Sequence, residues 1–518
     1  MHQVDSETKL RTVRFDTAPV AIEDVVDIAH GTAGAALSDA SEFRSAITAG
    51  TEFLDWLLDG DHNIYGVTTG FGDSCTVKIE PDLIAELPQH LYTYHGCGLG
   101  DYLTSEQTRA VIAVRLASLC KGYSGVSVNL LEQLVNLLRH DLLPVIPSEG
   151  SVGASGDLTP LSYLAAALCG EGEVWREGTR IAAQHALADA GLTPLRLRPK
   201  EGLAIMNGTS VMTALACLAY PRAVYLTRLV TRITALAVFA LDGSAYHFDA
   251  KLFSMKPYRG QQQVAAWLRR DLRETQPSLD STRLQDRYSI RCAPHVIGVL
   301  ADALPWLREW IESELNSVND NPIIDAEDER VLYGGHFYGG HVAFAMDSMK
   351  NAVANLADLL DRQMALLVDS RYNNGLPANL SGATGSRMAI NHGLKGLQIS
   401  VSAWTAEALK LTMPASVFSR STECHNQDKV SMGSIAARDC LRVLELTEQV
   451  AAGLLIAVRQ GVWLRCRLNP AAAPEANVKP MLDALDADFA VVEEDRKLEP
   501  ELRVLLERIR GRAWKLYE

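Results

Sequence analysis

What the chain lacks narrows the field first. Its nine cysteines include no C-x-x-C pair and are odd in number. They suggest neither a disulfide framework nor a zinc site, so reduced thiols in a cytoplasmic setting are expected. No repeat, phosphate-binding loop or cluster of metal ligands stands out, and His95 and His425 lack the spaced partners that zinc needs. Apolar runs such as 454–458 fall far short of the ~20 residues that span a bilayer. Residues 1–7 have no apolar core of a signal peptide. Positive charge is in deficit, 49 Lys and Arg against 63 Asp and Glu, for a net −14. Phosphate backbones call for clustered cations, so a nucleic-acid surface is excluded. What remains is a globular chain of 518 residues, 47% apolar, long enough for a large core and more than one layer or domain.

Helical periodicity dominates the pattern. A short strand fits Thr12-Val13-Arg14-Phe15, and Ser41–Asp59 is an amphipathic helix on Phe43, Ile47, Phe53, Leu54, Leu57 and Leu58. Thr104 followed by Gln107 is a capping box, and an apolar helix runs from it to about Leu119. A second helix spans 126–143 and ends at Pro144 and Pro147; a third starts at 161–168. Hairpins fit 173–181 and 323–333. The stretch 210–241 is apolar on most sides, as a buried helix is, with an interruption at Pro221. Helices over 342–368 and 434–465 complete a bundle, and the polar stretch ahead of Gln285 reads as mobile. The fold expected is mainly α, with a smaller N-terminal part at 1–200, a central helical bundle at 201–470 and a C-terminal helical segment at 471–518.

One stretch carries more than structure. Residues 150–160 read Gly-Ser-Val-Gly-Ala-Ser-Gly-Asp-Leu-Thr-Pro. The ordinary reading is a tight turn with Asp157 or Thr159 as the N-cap of the next helix. The chemical reading starts at Gly156. Without a Cβ, its amide nitrogen can approach the Ala154 carbonyl. Ring closure with loss of water, then dehydration of Ser155, would leave an exocyclic methylidene beside two carbonyls. That is an electrophile built from protein alone, at a helix N-terminus that favours developing negative charge. By composition alone the ordinary turn leads, because such turns are common.

Other stretches punctuate the helices. Tyr65-Gly66-Val67-Thr68-Thr69-Gly70-Phe71-Gly72 is a glycine-rich, uncapped and mobile loop; Leu91-Tyr92-Thr93-Tyr94-His95-Gly96 follows it. Asn207-Gly208-Thr209-Ser210, Gln285-Asp286-Arg287-Tyr288-Ser289-Ile290-Arg291, Asn319-Asp320-Asn321-Pro322, Gly335-His336-Phe337-Tyr338-Gly339 and Thr422-Glu423-Cys424-His425-Asn426-Gln427-Asp428 complete the set. Singly, Asn-Gly is a turn, a lone Arg is a surface charge and a lone His is a satisfied core residue.

Together these motifs resemble the aromatic amino acid ammonia-lyases and aminomutases, histidine ammonia-lyase included, over most of the chain. The resemblance implies a long-helix bundle of the fumarase/aspartase-like type and a homotetramer with active sites shared between chains. It implies that Ala154-Ser155-Gly156 becomes 4-methylidene-imidazol-5-one (MIO), with no external cofactor. It makes Tyr65, on a lid loop, the catalytic base, a role that needs a lowered phenol pKa or partial ionisation. Asn207 would lie near the MIO or the substrate carboxylate. Tyr288 would lie near the amine and the MIO, and Arg291 would clamp the carboxylate through two guanidinium contacts. Phe337 would keep an aromatic face toward the pocket, and Glu423, in a motif with Gln427, would lie near the amine. Gly72, Tyr94 and His95 would meet substrate, with His95 hydrogen-bonding a phenol hydroxyl. Tyr94, His336 and Tyr338 depart from the family pattern, and Asn321 would hold its loop. The activity implied is non-oxidative deamination of L-tyrosine to trans-p-coumarate and ammonia, with L-phenylalanine secondary. Alternatives are histidine ammonia-lyase, a tyrosine or phenylalanine 2,3-aminomutase, and a helical scaffold without activity.

Overall fold

The computed structural model describes residues 10–60, 62–273 and 284–517. The N-terminal heptapeptide and positions 274–283 of the polar stretch ahead of Gln285 thus lie outside the described residues. Helices dominate, and the strands form only small sheets of two or three. By its contacts the chain divides into two units. The first comprises Met1–Leu218, Arg308–Asp347 and Pro414–Arg438; the second comprises Ala219–Leu307, Ser348–Met413 and Asp439–Glu518. Each unit gathers separate stretches of chain, so its limits do not follow the chain-order division at 200 and 470.

In the first unit, strand Arg11–Phe15 pairs in parallel with Ala33–Leu37. Helix Ser41–Asp59 buries Phe43, Ile47, Leu54 and Leu57. Leu54 and Leu57 share a cluster with Ile64, Val67 and Ile324, which seats the start of the Tyr65 loop against the strand Ile323–Asp325. Helix Ser105–Leu119 begins with the expected reciprocal box: Gln107 N donates to Thr104 Oγ1 at 3.2 Å, and Thr104 N donates to Gln107 Oε1 at 3.0 Å. The next helix is Val128–Arg139, shorter at both ends than 126–143. The Ser127 hydroxyl caps it by accepting from Leu130 N, and Asp141 turns left-handed just past its end. Leu143-Pro144 then pairs with Val174 and Trp175 as a strand. The hairpins form as expected, Glu173–Arg176 against Thr179–Ala182 and Ile323–Asp325 against Arg330–Leu332. Helix Leu158–Leu168 starts three residues earlier than periodicity alone indicates, directly after the Ala154 tripeptide.

The second unit holds most of the long helices. Ser210–Ala240, Ala293–Leu315, Gly340–Val368 and Gly433–Leu468 each begin in the first unit or end there, and run on. The expected interruption at Pro221 does not occur: Ser210–Ala240 is continuous with Pro221 inside it. A proline in a helix costs about 3 kcal/mol. Leu226, Leu229, Val230, Ile233 and Leu236 are all buried within the next four turns. At roughly 1.5–3 kcal/mol each, their burial outweighs one missing hydrogen bond several times over. This helix is also long and apolar enough to cross a membrane by composition, yet most of it is packed inside the protein. Arg222 on it makes a two-pronged pair with Glu448, at 2.8 and 2.9 Å.

Residues 471–517 contribute helices Lys479–Asp488 and Glu499–Arg510 to this unit. The Tyr517 ring stacks on Trp267 at 4.7 Å and lies under the Arg232 guanidinium at 4.8 Å.

If burial along this helix offsets the proline, shortening one buried side chain there must be felt. Leu229→Ala is expected to cost about 2–5 kcal/mol. A urea midpoint unchanged from the parent would contradict that account.

Candidate active site

The tripeptide loop is built by a contact between two chain segments. Ser155 and Gly156 take left-handed φ values of +48° and +80°. Gly156 bridges to Gly208, and Asp157 N donates to the Gly208 carbonyl at 2.7 Å. A Cβ on Gly156 would overlap that carbonyl, so no other residue fits. Asp157 stands at the N-cap position of Leu158–Leu168 but makes no side-chain bond to its own helix. Its carboxylate crosses over instead. Oδ2 accepts from Val211 N at 3.0 Å and Met212 N at 2.9 Å, capping the helix that starts at Ser210. Oδ1 accepts from the Ser151 hydroxyl at 3.3 Å and from Ser434. Complete burial raises the Asp157 pKa, and these four donors act against the rise. Of the two expected N-caps, Asp157 or Thr159, Asp157 takes the position but not the side-chain bond.

The tripeptide opens onto a cavity of about 730 Å³. Tyr65, Gly72, Tyr94, His95, Ala154, Ser155, Asn207, Phe337, Glu423 and Gln427 all line it. Helix Leu87–His95 supplies Tyr94 and His95 from its last turn. His95 Nδ1 lies 2.9 Å from the Leu91 carbonyl. A carbonyl only accepts, so Nδ1 carries the proton and Nε2 keeps a lone pair. Burial lowers the His95 pKa, which keeps the ring neutral. The Tyr94 ring lies against it, 4.3 Å between centroids. Gln427 Nε2 donates to the Ser155 hydroxyl at 3.3 Å.

The Tyr65 loop is tied by its own hydrogen bonds. Ile64 N donates to Thr68 Oγ1, Gly70 N to the Val77 carbonyl, and Gly72 N to the Tyr65 hydroxyl at 2.8 Å. Asp73 N donates to both Glu423 oxygens, at 3.2 and 2.9 Å. Glu423 begins a run of three left-handed residues with Cys424 and His425, closed by the Thr422–Gln427 bridge. The lowered phenol pKa expected of a base is not met within this chain. Burial raises the Tyr65 pKa, nearby Glu423 and Cys75 add to the rise, and only the Gly72 N–H favours the phenolate.

Behind the cavity wall lies a buried polar layer. Asn207 Nδ2 donates to the Asn321 carbonyl at 2.8 Å and to Asp320 Oδ1 at 3.2 Å. Asp320 Oδ2 lies 2.6 Å from Lys200 Nζ, and both side chains are wholly buried. Arg115 Nη1 donates to the Asn207 carbonyl, Ser210 Oγ and Asn319 Oδ1 at 3.2–3.4 Å. Burial pulls the Arg115 pKa down to about 10. Asn321 Oδ1 accepts from Gly334 N at 2.9 Å, holding the loop as read from sequence.

Tyr288 and Arg291 are not among the lining residues. They belong to the second unit, where Arg291 Nε donates to the Asp286 carbonyl at 3.0 Å and its guanidinium lies 4.7 Å from the centroid of the Tyr288 ring. Tyr288 is 73% exposed. Sequence reasoning passed over Leu158, Leu203 and Lys429, which also line the cavity. Leu203 lies one helical turn before Asn207 and shares its face, a signal that was available. Nothing local marks Leu158 or Lys429.

The aromatic amino acid lyase family model matches residues 20–486. The chain is 37% identical to a histidine ammonia-lyase of Gloeobacter violaceus over 496 residues, 95% of each chain. Its fold is similar to a tyrosine aminomutase from Streptomyces globisporus, with a TM-score of 0.89, 31% identity, and coverage of 96% of this chain and 97% of that one. A histidine ammonia-lyase from Trypanosoma cruzi superposes with a TM-score of 0.88 at 29% identity, over 97% and 94% of the two chains.

Gly72 has φ +56°, and a Cβ there would displace the Glu423 carboxylate from the Asp73 amide. Gly72→Ala is therefore expected to speed amide hydrogen exchange across 70–76 several-fold while moving global stability by only about 1 kcal/mol. Unchanged exchange would show that the carboxylate does not tether this loop.

Proposed function

Because the chain belongs to the aromatic amino acid lyase family and is a carbon–nitrogen lyase, we propose that it deaminates L-tyrosine to trans-p-coumarate and ammonia, with L-phenylalanine as a weaker substrate. The observation that carries this reading is the neutral His95, whose Nε2 lone pair is left free by the Nδ1 contact to Leu91. A phenol hydroxyl donates into such an acceptor; a phenyl ring offers it nothing, and an acceptor left unpaired on binding is costly. Leu91, Leu158 and Leu203 supply apolar wall for the ring.

The tripeptide fits the MIO group. Ser155 and Gly156 sit in a left-handed turn, and Gly156 is pressed on Gly208 where no side chain has room. Held by Ala154, Ser155 and Gly156, that group would supply an electrophilic methylidene, an electron sink for loss of the amine. The remaining work falls to side chains. Tyr65 Oη removes the β-proton, and Glu423 takes a proton from the ammonium. Phe337 and Tyr94 border the ring, and His95 fixes its hydroxyl. The carboxylate needs a cation, which Arg291 provides, with Tyr288 beside it, from another copy of the chain in a homotetramer. A guanidinium brought to the site that way would also favour the Tyr65 phenolate, which the chain alone disfavours. The nine free cysteines support a cytoplasmic setting.

A second reading is L-histidine. Relatives such as that of Gloeobacter violaceus are histidine ammonia-lyases, and the same Nε2 acceptor suits an imidazole N–H. A 2,3-aminomutase outcome is favoured by the tyrosine aminomutase fold neighbour. Separate incubations with L-tyrosine, L-phenylalanine and L-histidine distinguish the substrates, and product analysis for a β-amino acid distinguishes lyase from mutase.

Replacing His95 with Phe should shift the ratio of kcat/KM for tyrosine over phenylalanine toward phenylalanine by about 10²-fold. In the parent that ratio should hold steady above neutrality. The His95 pKa lies below its ordinary ~6.5, so the acceptor is lost only as the pH falls through that lowered value. A ratio indifferent to His95→Phe would remove the case for tyrosine. Sites shared between chains make a separate forecast. Tyr65→Phe and Arg291→Ala chains should each lose ~10²–10⁴-fold alone and regain part of the activity when co-expressed. No regain would place Arg291 outside a shared site.

A further inference from the structure

Asn207 enters the cavity wall with its amide already committed. One amide hydrogen goes to the Asn321 carbonyl at 2.8 Å and the other to Asp320 Oδ1 at 3.2 Å. Since a carbonyl accepts only, this contact decides which way the amide points. With both hydrogens spent, what Asn207 can still offer is an acceptor. Its Oδ1 is buried and has no hydrogen-bond partner among the described residues. Leaving such an atom unpaired costs about 1–3 kcal/mol, a cost that a donor reaching it would relieve.

The carboxylate that takes the second hydrogen is itself fixed. Asp320 Oδ1 also accepts from Asn321 N at 2.7 Å, and Oδ2 faces Lys200 Nζ at 2.6 Å. Lys200 holds a left-handed φ of +77°, immediately ahead of helix Glu201–Met206, whose end carries Asn207. The two charges are completely buried. Desolvation cancels much of their attraction, so apolar side chains of similar volume would serve stability as well. Apolar side chains would not, however, orient an amide.

We propose that the buried Lys200–Asp320 pair is a positioning device for Asn207, holding its amide so that the acceptor end serves an N–H donor of the substrate, its amine. Lys200 touches neither substrate nor the tripeptide and acts only through Asp320 and Asn207. The inference rests on the amino acid lyase reading of the cavity and names two residues behind its wall, Lys200 and Asp320, to which the sequence motifs gave no role.

A double-mutant cycle tests it. Steady-state kcat/KM on L-tyrosine, L-phenylalanine or L-histidine, whichever the parent turns over, is measured for the parent, Lys200→Met, Asn207→Ala and the double variant, with urea midpoints for all four. Lys200→Met should lower kcat/KM by about 10²-fold, the usual effect of misplacing a reacting group. In the Asn207→Ala background it should lower it no further, because the residue through which it acts is gone. A double variant whose loss equals the product of the two single losses would overturn the proposal, since a merely structural role is felt in either background. Should Lys200→Met not fold, Asp320→Asn, which keeps an acceptor but no charge, takes its place in the cycle with the same two outcomes. A parent inert toward all three amino acids would sink the lyase reading itself and this inference with it. Product-like losses in an active parent would sink the inference alone.

Discussion

The rest of the first unit depends on one carboxylate. Asp157 leaves its own helix uncapped and spends its oxygens on the amides of Val211 and Met212 and on two serine hydroxyls. In the same place its backbone N–H and Gly156 lock onto Gly208. A helix N-terminus has unpaired N–H groups and positive dipole character, so a buried anion is stable there as it would be in few other places. The consequence is geometric. The tripeptide is held in a compressed left-handed turn against a glycine, with its serine facing the cavity.

Around that lock the protein keeps an unusual amount of charge out of water. Arg115, Lys200, Asp157 and Asp320 are all buried close to Asn207 and Gly208. Burial pulls both cations toward losing their protons, while the carboxylates nearby resist the loss. Such a layer adds little to stability for what it demands in desolvation. Its value lies in direction: Lys200 fixes Asp320, Asp320 and the Asn321 carbonyl fix the Asn207 amide, and the wall of the cavity inherits that order.

The cavity of a single chain is lined by the Tyr65 phenol, the His95 imidazole and the Glu423 carboxylate. The cation expected to clamp the carboxylate lies in the other unit, packed over an exposed tyrosine. The high pKa of Tyr65 has the same origin. Burial without a close cation favours the phenol over the phenolate.

The sequence by itself determined the helical class, most element positions and the family. Apolar periodicity and reciprocal caps act within a few residues, and the motif runs around Ser155, Asn207 and Glu423 are long enough to be specific. It also named ten of the residues that line the cavity. It misjudged Pro221, because a local rule cannot see the buried side chains that outweigh one missing hydrogen bond. It offered Asp157 or Thr159 as the next helix's N-cap; Asp157 stands at that position, but its carboxylate caps the helix starting at Ser210, a partner no local reading can see. Only the tertiary structure decided that Lys200 and Asp320 meet across 120 residues, that Glu423 tethers a loop 350 residues away, and that Arg291 belongs to the second unit. Those are contacts between distant segments, chosen by packing and by the need to pair buried charge, and no spacing along the chain encodes them.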